Sequence, residues 1–229
     1  MSKDVGMRSQ SLRVIGTLFV LASTLVTTAN AQPAPGYPVR PTPMPQAKEV
    51  ALAKSAAPAE VADHAAVYVL SAKGPVKVEE GTNGVACMVS RDLHEGSLYP
   101  ICFDREAVRT SMQRELMELR LRAEGKSEEG VQSAVKRAFA SGELKAPATP
   151  SVIYMMSAKQ VLFSSPQREG RRVGAWHPHL MIAMPNVTAA DVGLASPSSI
   201  AFMSLDNEGT PSAQLIVHVP TWSNGLPVK

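Results

Sequence analysis

The chain contains two cysteines, Cys87 and Cys102, and this pair constrains the fold more than any other feature. A bridge between them would close a loop of about 15 residues, which contributes roughly 3 kcal/mol if it acts by restricting the unfolded chain. Catalytic thiol pairs are usually spaced C-x-x-C at the start of a helix, so the wider spacing favours a structural role. We predict a disulfide that ties an N-terminal β-meander to the longest helix.

The first 31 residues have the pattern of a secretory signal. Basic residues precede an uncharged, mostly apolar run at residues 14–26, and Ala29 and Ala31 form a small-x-small cleavage site. A membrane-spanning helix needs about 20 apolar residues, so an anchor is disfavoured and the mature chain is expected to begin at Gln32. We therefore predict a mature protein that has no transmembrane segment and is periplasmic or secreted, where disulfides form.

The charge of the mature chain argues against nucleic-acid binding. The full chain carries a net charge of +3, and most of this excess comes from Lys3, Arg8 and Arg13 in the leader. A nearly neutral body has no long-range field that would attract nucleic acid. We expect an unidentified protein or a small-molecule ligand as the partner.

Residues 32–60 differ in composition from the rest of the chain, because they are rich in proline and alanine. Proline fixes φ and lacks a backbone N–H, which keeps such a segment out of sheets and helix interiors. We predict an extended arm here, with a short helix over residues 49–57 that Pro58 ends. The remaining residues, 61–225, are predicted to form a single α+β domain.

Three short β-branched or alternating segments follow the arm, at residues 66–70, 76–79 and 85–90. The turn signals between them predict a three-strand antiparallel meander. In the third strand Val85, Cys87 and Val89 share one face, because side chains alternate along a strand.

Two helices are predicted next, over residues 104–124 and 127–142. An apolar stripe in the first and a regular i, i+3, i+4 pattern in the second indicate a helical pair with one face on the core. In the first helix Arg114, Glu118 and Arg122 are spaced for i, i+4 charge pairs. We interpret this charged face as exposed to solvent.

The β pattern returns after Pro150. It predicts a strand over residues 152–156 with a hairpin partner at 161–164, a buried strand at 179–184, and a last hairpin of 200–205 with 213–219. The predicted fold class is α+β, with an antiparallel sheet built from the meander and the C-terminal strands. The helical pair covers one face of that sheet.

His177 and His179 are the one chemical lead in the sequence, since side chains two apart project to the same side of an extended chain. Such a pair can meet one zinc or copper ion. Further ligands would come from a set that sequence cannot place: His94, His218, Asp206 and Glu208. The alternative is that His177 belongs to a loop and that His179 is a hydrogen-bonded residue at the start of a strand.

Two functional hypotheses follow. The first is an exported, non-catalytic binding or envelope-associated domain stabilised by the Cys87–Cys102 disulfide. The second is a metal-binding protein or metallohydrolase that uses His177-Pro178-His179. The sequence contains neither a G-x-S-x-G nucleophile motif nor a phosphate-binding G-x-x-x-x-G-K loop, and it leaves open whether the protein is an enzyme.

Overall fold

The computed structural model describes residues 41–91, 97–163, 172–174, 176–200 and 203–228, which lie in one compact unit. Within these residues the helices are α1 (Gln46–Lys54), α2 (Ala59–Ala62), α3 (Arg105–Arg109), α4 (Ser111–Ala123) and α5 (Glu128–Ser141). The strands are β1 (Ala66–Ser71), β2 (Gly74–Glu79), β3 (Ala86–Ser90), β4 (Tyr99–Phe103), β5 (Val152–Met155), β6 (Leu162–Phe163), β7 (Arg172–Gly174), β8 (His179–Ala183), β9 (Met203–Asp206) and β10 (Gln214–His218). The predicted leader, at residues 1–31, lies outside the described residues.

Eight of the described strands form one sheet in the order β2-β1-β3-β4-β5-β8-β10-β9, and β6 pairs with β7 separately. All pairs in the large sheet are antiparallel except β1 with β3. This open, mostly antiparallel sheet with helices packed on it confirms the predicted α+β class. Residues 46–54 of the predicted arm form α1, which packs against β1, β3 and β4.

The predicted N-terminal meander is wrong in its last step, because β3 pairs in parallel with β1 rather than antiparallel with β2. The β2–β3 connection crosses the beginning of β1, where the Thr82 backbone N–H donates to the His64 carbonyl oxygen at 2.8 Å. Gly81 makes this crossing feasible, since a Cβ there would lie 2.2 Å from the Ala66 nitrogen. Alternation in the sequence identifies a strand but not the strand with which it pairs. For this reason the predicted order of the three strands was wrong.

The Cys87–Cys102 disulfide is confirmed, but it does not join the sheet to a helix. The two cysteines are direct cross-strand partners in the β3–β4 pair, with Cα atoms 4.0 Å apart. Both are fully buried, and Cys102 lies under α1 with its sulfur 3.8 Å from the Ala53 carbonyl oxygen. The bridge therefore links two neighbouring interior strands, β3 and β4, on the sheet face that α1 covers.

Alternation along the strands separates two cores. Cys87, Cys102 and Val67 face α1 and pack with its buried alanine Ala53. On the opposite face a larger cluster joins strand side chains to buried residues of α3 and α4. Its strand members include Met88, Tyr99, Ile101, Phe103, Ile153, Met155 and Met181, and α4 contributes Met112 and Leu119. Helix α5 packs on α4.

The helix predicted over residues 104–124 is divided in two at Thr110, whose backbone leaves the helical region at φ −129° and ψ −88°. The Thr110 hydroxyl donates to the Glu106 carbonyl oxygen at 2.7 Å, a local bond of the kind that bends helices. Asp104 caps the first piece by accepting from the Ala107 N–H at 2.8 Å. The break separates α4 from α3, and α4 lies over the sheet.

The hairpin predicted for residues 152–156 and 161–164 does not form. Strand β5 is central and pairs with β4 and β8, whereas β6 pairs with β7. Val161 instead bridges Leu98, with N–H to carbonyl distances of 2.8 and 3.1 Å. The last predicted hairpin is present as β9 and β10, and it extends the sheet beyond β8.

Candidate functional site

A cavity of about 570 Å³ lies between α4 and the sheet face opposite the disulfide. This volume is within the range of small-molecule sites. Its floor is apolar and comes from central strands, through the side chains Tyr99, Ile101, Phe103, Ile153, Met155 and Met181. Its walls are polar: α4 supplies one of them, and β8, β9 and β10 supply the other.

The polar face of α4 lines this cavity, which corrects its interpretation as a solvated surface. Glu118 and Arg122 are only 7 % and 5 % exposed. Arg114, Glu115, Glu118 and Arg122 all contribute to the lining, because residues three and four apart share one helix face. The i, i+4 spacing of these charges was predicted correctly. Spacing alone does not determine whether a helix face is exposed to solvent or lines a cavity.

Arg122, in the last turn of α4, is held by several acceptors. Its Nη2 lies 3.3 Å from Glu118 Oε2 and 3.2 Å from Glu128 Oε1, and its Nε lies 3.2 Å from Glu128 Oε2. Its Nη1 donates to the Arg91 carbonyl oxygen at 3.3 Å. Such a fork of charge-assisted bonds fixes a buried guanidinium in one orientation.

Arg114 and Glu115 form the second ion pair of this wall. Arg114 Nη2 donates to Glu115 Oε1 at 2.8 Å, and its Nε lies 3.7 Å from Glu118 Oε1. The Ser90 hydroxyl donates to Glu115 Oε2 at 2.7 Å. Both guanidiniums of the wall are thus engaged by carboxylates of the protein itself.

The carboxyl of Glu118, which lines the cavity, has a pKa well above its ordinary value. Burial raises the pKa of Glu118 to about 7, and the negative charge of Glu115 adds to the rise, while Arg114 and Arg122 partly oppose it. Functional sites frequently contain a carboxyl group that lies in a cleft and changes its charge near neutral pH.

Three imidazoles gather on the opposite wall. His218 and His179 are cross-strand partners in the β10–β8 pair, and their ring centroids are 6.2 Å apart. His177 is exposed, and its ring lies 5.5 Å from that of His218. The Nδ1 of the buried His179 lies 2.8 Å from the His177 carbonyl oxygen. Because a carbonyl oxygen only accepts hydrogen bonds, this Nδ1 carries a hydrogen and donates it. Its pKa is lowered, chiefly by burial.

The other predicted metal ligands do not all lie at the cavity. Asp206 lines the cavity, whereas the Glu208 carboxylate accepts the Ala189 backbone N–H. His94 lies outside the described residues. Within those residues no group of three or more His, Cys, Asp or Glu is arranged to hold a metal. His177 does belong to a loop and His179 does begin a strand, while metal binding by this pair stays a prediction.

Trp176 forms an aromatic rim that sequence reasoning missed. Its indole stacks on the Tyr99 ring with centroids 4.9 Å apart and planes 8° apart, and it meets the His179 ring edge at 6.2 Å. Yet Trp176 is 47 % exposed. A tryptophan directly before the His-Pro-His segment was the only available signal.

Asp206 and Gln214 complete the polar lining at the β9–β10 side. Asp206 Oδ2 accepts from Gln214 Nε2 at 3.1 Å and from Asn207 Nδ2 at 2.7 Å. The carboxylate is therefore oriented by its neighbours, and the charge of Asp206 also acts on Arg114 across the cavity.

Comparison of the chain with protein-family models, curated proteins and solved structures found no match. No helix in the described part of the chain combines the length and the apolarity needed to traverse a bilayer.

Proposed function

We propose that this protein is an exported, non-catalytic binding domain that takes a small molecule into the cavity between α4 and the sheet. The observation that carries the proposal is the cavity itself, with an apolar floor and convergent polar walls. Small-molecule sites typically combine such a floor with a few oriented polar groups. The secretory pattern of residues 1–31 and the disulfide support a role outside the cytoplasm.

The polar groups of the cavity are fixed by the protein before any ligand arrives. Glu115 accepts hydrogen bonds from Ser90 and Arg114. Arg122 donates to Glu128, and Asp206 accepts from Gln214. A site that is already ordered loses little side-chain entropy when it binds, which favours affinity.

A cavity-blocking variant tests this function. Ser204 lines the cavity from β9, so Ser204→Trp should fill part of it. The matched control is Val217→Trp on the neighbouring strand β10, since Val217 does not line the cavity. The mature proteins, purified from an exporting host, would be compared by native mass spectrometry for a retained small molecule and by thermal shift against a metabolite library.

The expected result is a ligand that the wild type and Val217→Trp retain and that Ser204→Trp loses. If Ser204→Trp binds every ligand as tightly as the wild type while remaining folded, the cavity is not the binding site and the proposal is wrong.

We propose metal binding as a second candidate, because His218 lies beside both His177 and His179 and the exposed His177 ring can turn towards a shared ion. The Nδ1 contact of His179 leaves its Nε2 as the ligating atom, as is usual for metal-bound histidines. Metal analysis at neutral pH tests it. Less than about 0.1 equivalent of zinc or copper would reject it, and a metal lost in the His177→Ala, His179→Ala double variant would support it.

A further inference from the structure

We propose that the ligand of the cavity is a small organic cation, an amine or quaternary ammonium group carried on an apolar body. This inference rests on the proposed binding function and specifies the substrate class for the same site. Three observations point to it: the charge balance of the walls, the engagement of both guanidiniums, and the exposed aromatic rim.

The charged groups of the described cavity walls are unbalanced. The lining contains the carboxylates of Glu115, Glu118 and Asp206 against the guanidiniums of Arg114 and Arg122. Glu128 takes two of the donors of Arg122 from outside the lining. Once the pH is above the pKa of Glu118, which is raised to about 7, four carboxylates share two guanidiniums. A bound cation would then supply part of the missing positive charge.

Burial strengthens the electrostatic effect of this charge imbalance. Interactions between charges are several times stronger at a protein site of low effective dielectric than in water. Glu118 and Arg122 are almost completely buried, so water cannot screen the excess negative charge well. The same argument disfavours an anionic ligand, because Arg122 and the Nη2 of Arg114 already bind carboxylates of the protein. The Nε of Arg114 makes no hydrogen bond within the described part of the chain, but it lies 3.7 Å from Glu118 Oε1, which would repel an anion there.

The aromatic rim supplies a second recognition element for a cation. A cation placed over a tryptophan face is attracted by the ring quadrupole. Stacking on Tyr99 holds the Trp176 indole in place on one side, and its exposed fraction of 47 % leaves surface for a ligand. The apolar floor below would receive the hydrocarbon part of the same molecule.

The buried imidazole of His179 sets the pH of the test. Its pKa is lowered, chiefly by burial, so at about pH 8 this ring is neutral and does not repel a cation.

The experiment compares three probes that differ in one head group: phenethylamine, phenethyl alcohol and phenylacetate. The chain has two tryptophans, Trp176 and Trp222. In a Trp222→Phe background the fluorescence of Trp176 alone reports binding, and isothermal titration calorimetry gives the affinity independently. We expect a saturable change with the amine at an affinity at least about tenfold above the alcohol, and no binding of phenylacetate.

Two charge variants locate the effect. Asp206→Asn removes one wall carboxylate at the edge strand β9, and we expect it to weaken amine binding by about tenfold or more while leaving the alcohol unchanged. Glu129→Gln is the matched control, because Glu129 is exposed on α5 and outside the cavity. Trp176→Ala, followed by calorimetry, should also weaken amine binding.

The outcomes separate the two proposals. If the alcohol or phenylacetate binds as tightly as the amine, or if Asp206→Asn has no more effect than Glu129→Gln, the cation inference is wrong and the binding function stands. If the amine does not bind, but a ligand retained by the wild type is lost in Ser204→Trp, the same conclusion holds. If no ligand depends on the cavity, both proposals fail.

Discussion

Glu118 provides a quantitative test of the electrostatics of the cavity. Its pKa is raised from 4.5 to about 7, chiefly because the carboxyl is buried. The native state therefore binds its proton more tightly than the unfolded chain does. This contribution to stability is fully present below about pH 4.5 and is lost as the pH rises through about 7. A shift of this size corresponds to about 3 kcal/mol.

The Glu118→Gln variant removes the titration while keeping the shape of the side chain. The wild type should lose up to about 3 kcal/mol of unfolding free energy between about pH 4.5 and pH 8 that the variant does not lose. Glu115, Glu128, Arg114 and Arg122 face this carboxyl and are unchanged in both proteins. The variant should therefore be about as stable as the wild type in acid and more stable in mild alkali.

Urea denaturation followed by circular dichroism measures both profiles, and ¹³C NMR of the Glu118 carboxyl follows its titration directly. Glu129→Gln is the control, since it changes an exposed carboxyl and should leave the shape of the profile intact. Parallel profiles for the wild type and Glu118→Gln would refute the reasoning and show that the carboxylate is stabilised as well in the fold as in water.

Three further predictions concern the scaffold. Replacing both cysteines with serine should cost about 3 kcal/mol of unfolding free energy, measured by urea denaturation without reductant, and a loss below about 1 kcal/mol would mean that the unfolded chain is already restricted there. Gly81→Ala should cost about 1–3 kcal/mol through its clash with the Ala66 backbone, whereas an unchanged melting temperature would contradict the close crossing. Asp104→Ala should cost at least about 1 kcal/mol of unfolding free energy. It should also expose the Val152 backbone N–H, which donates to Asp104 Oδ2 at 2.7 Å, to hydrogen exchange. Retained protection of that N–H would contradict this role of Asp104.

Local patterns in the sequence were enough to predict most of the elements. Alternation marked the strands, the helical period marked α4 and α5, and the cysteine pair predicted the disulfide, although not that it links β3 to β4. These signals are local or depend on a single covalent pair, so they do not require knowledge of the fold.

The tertiary structure decided which strands are neighbours and which polar groups are buried. Placing β3 beside β1 depends on how the chain crosses at Gly81, and the burial of Glu118 depends on where α4 lies over the sheet. His177, His179 and His218 meet Arg114 and Glu118 in one cavity only because distant strands pair. Residue spacing determines which side chains share a face of one element, but the environment of that face depends on packing between elements far apart in the chain.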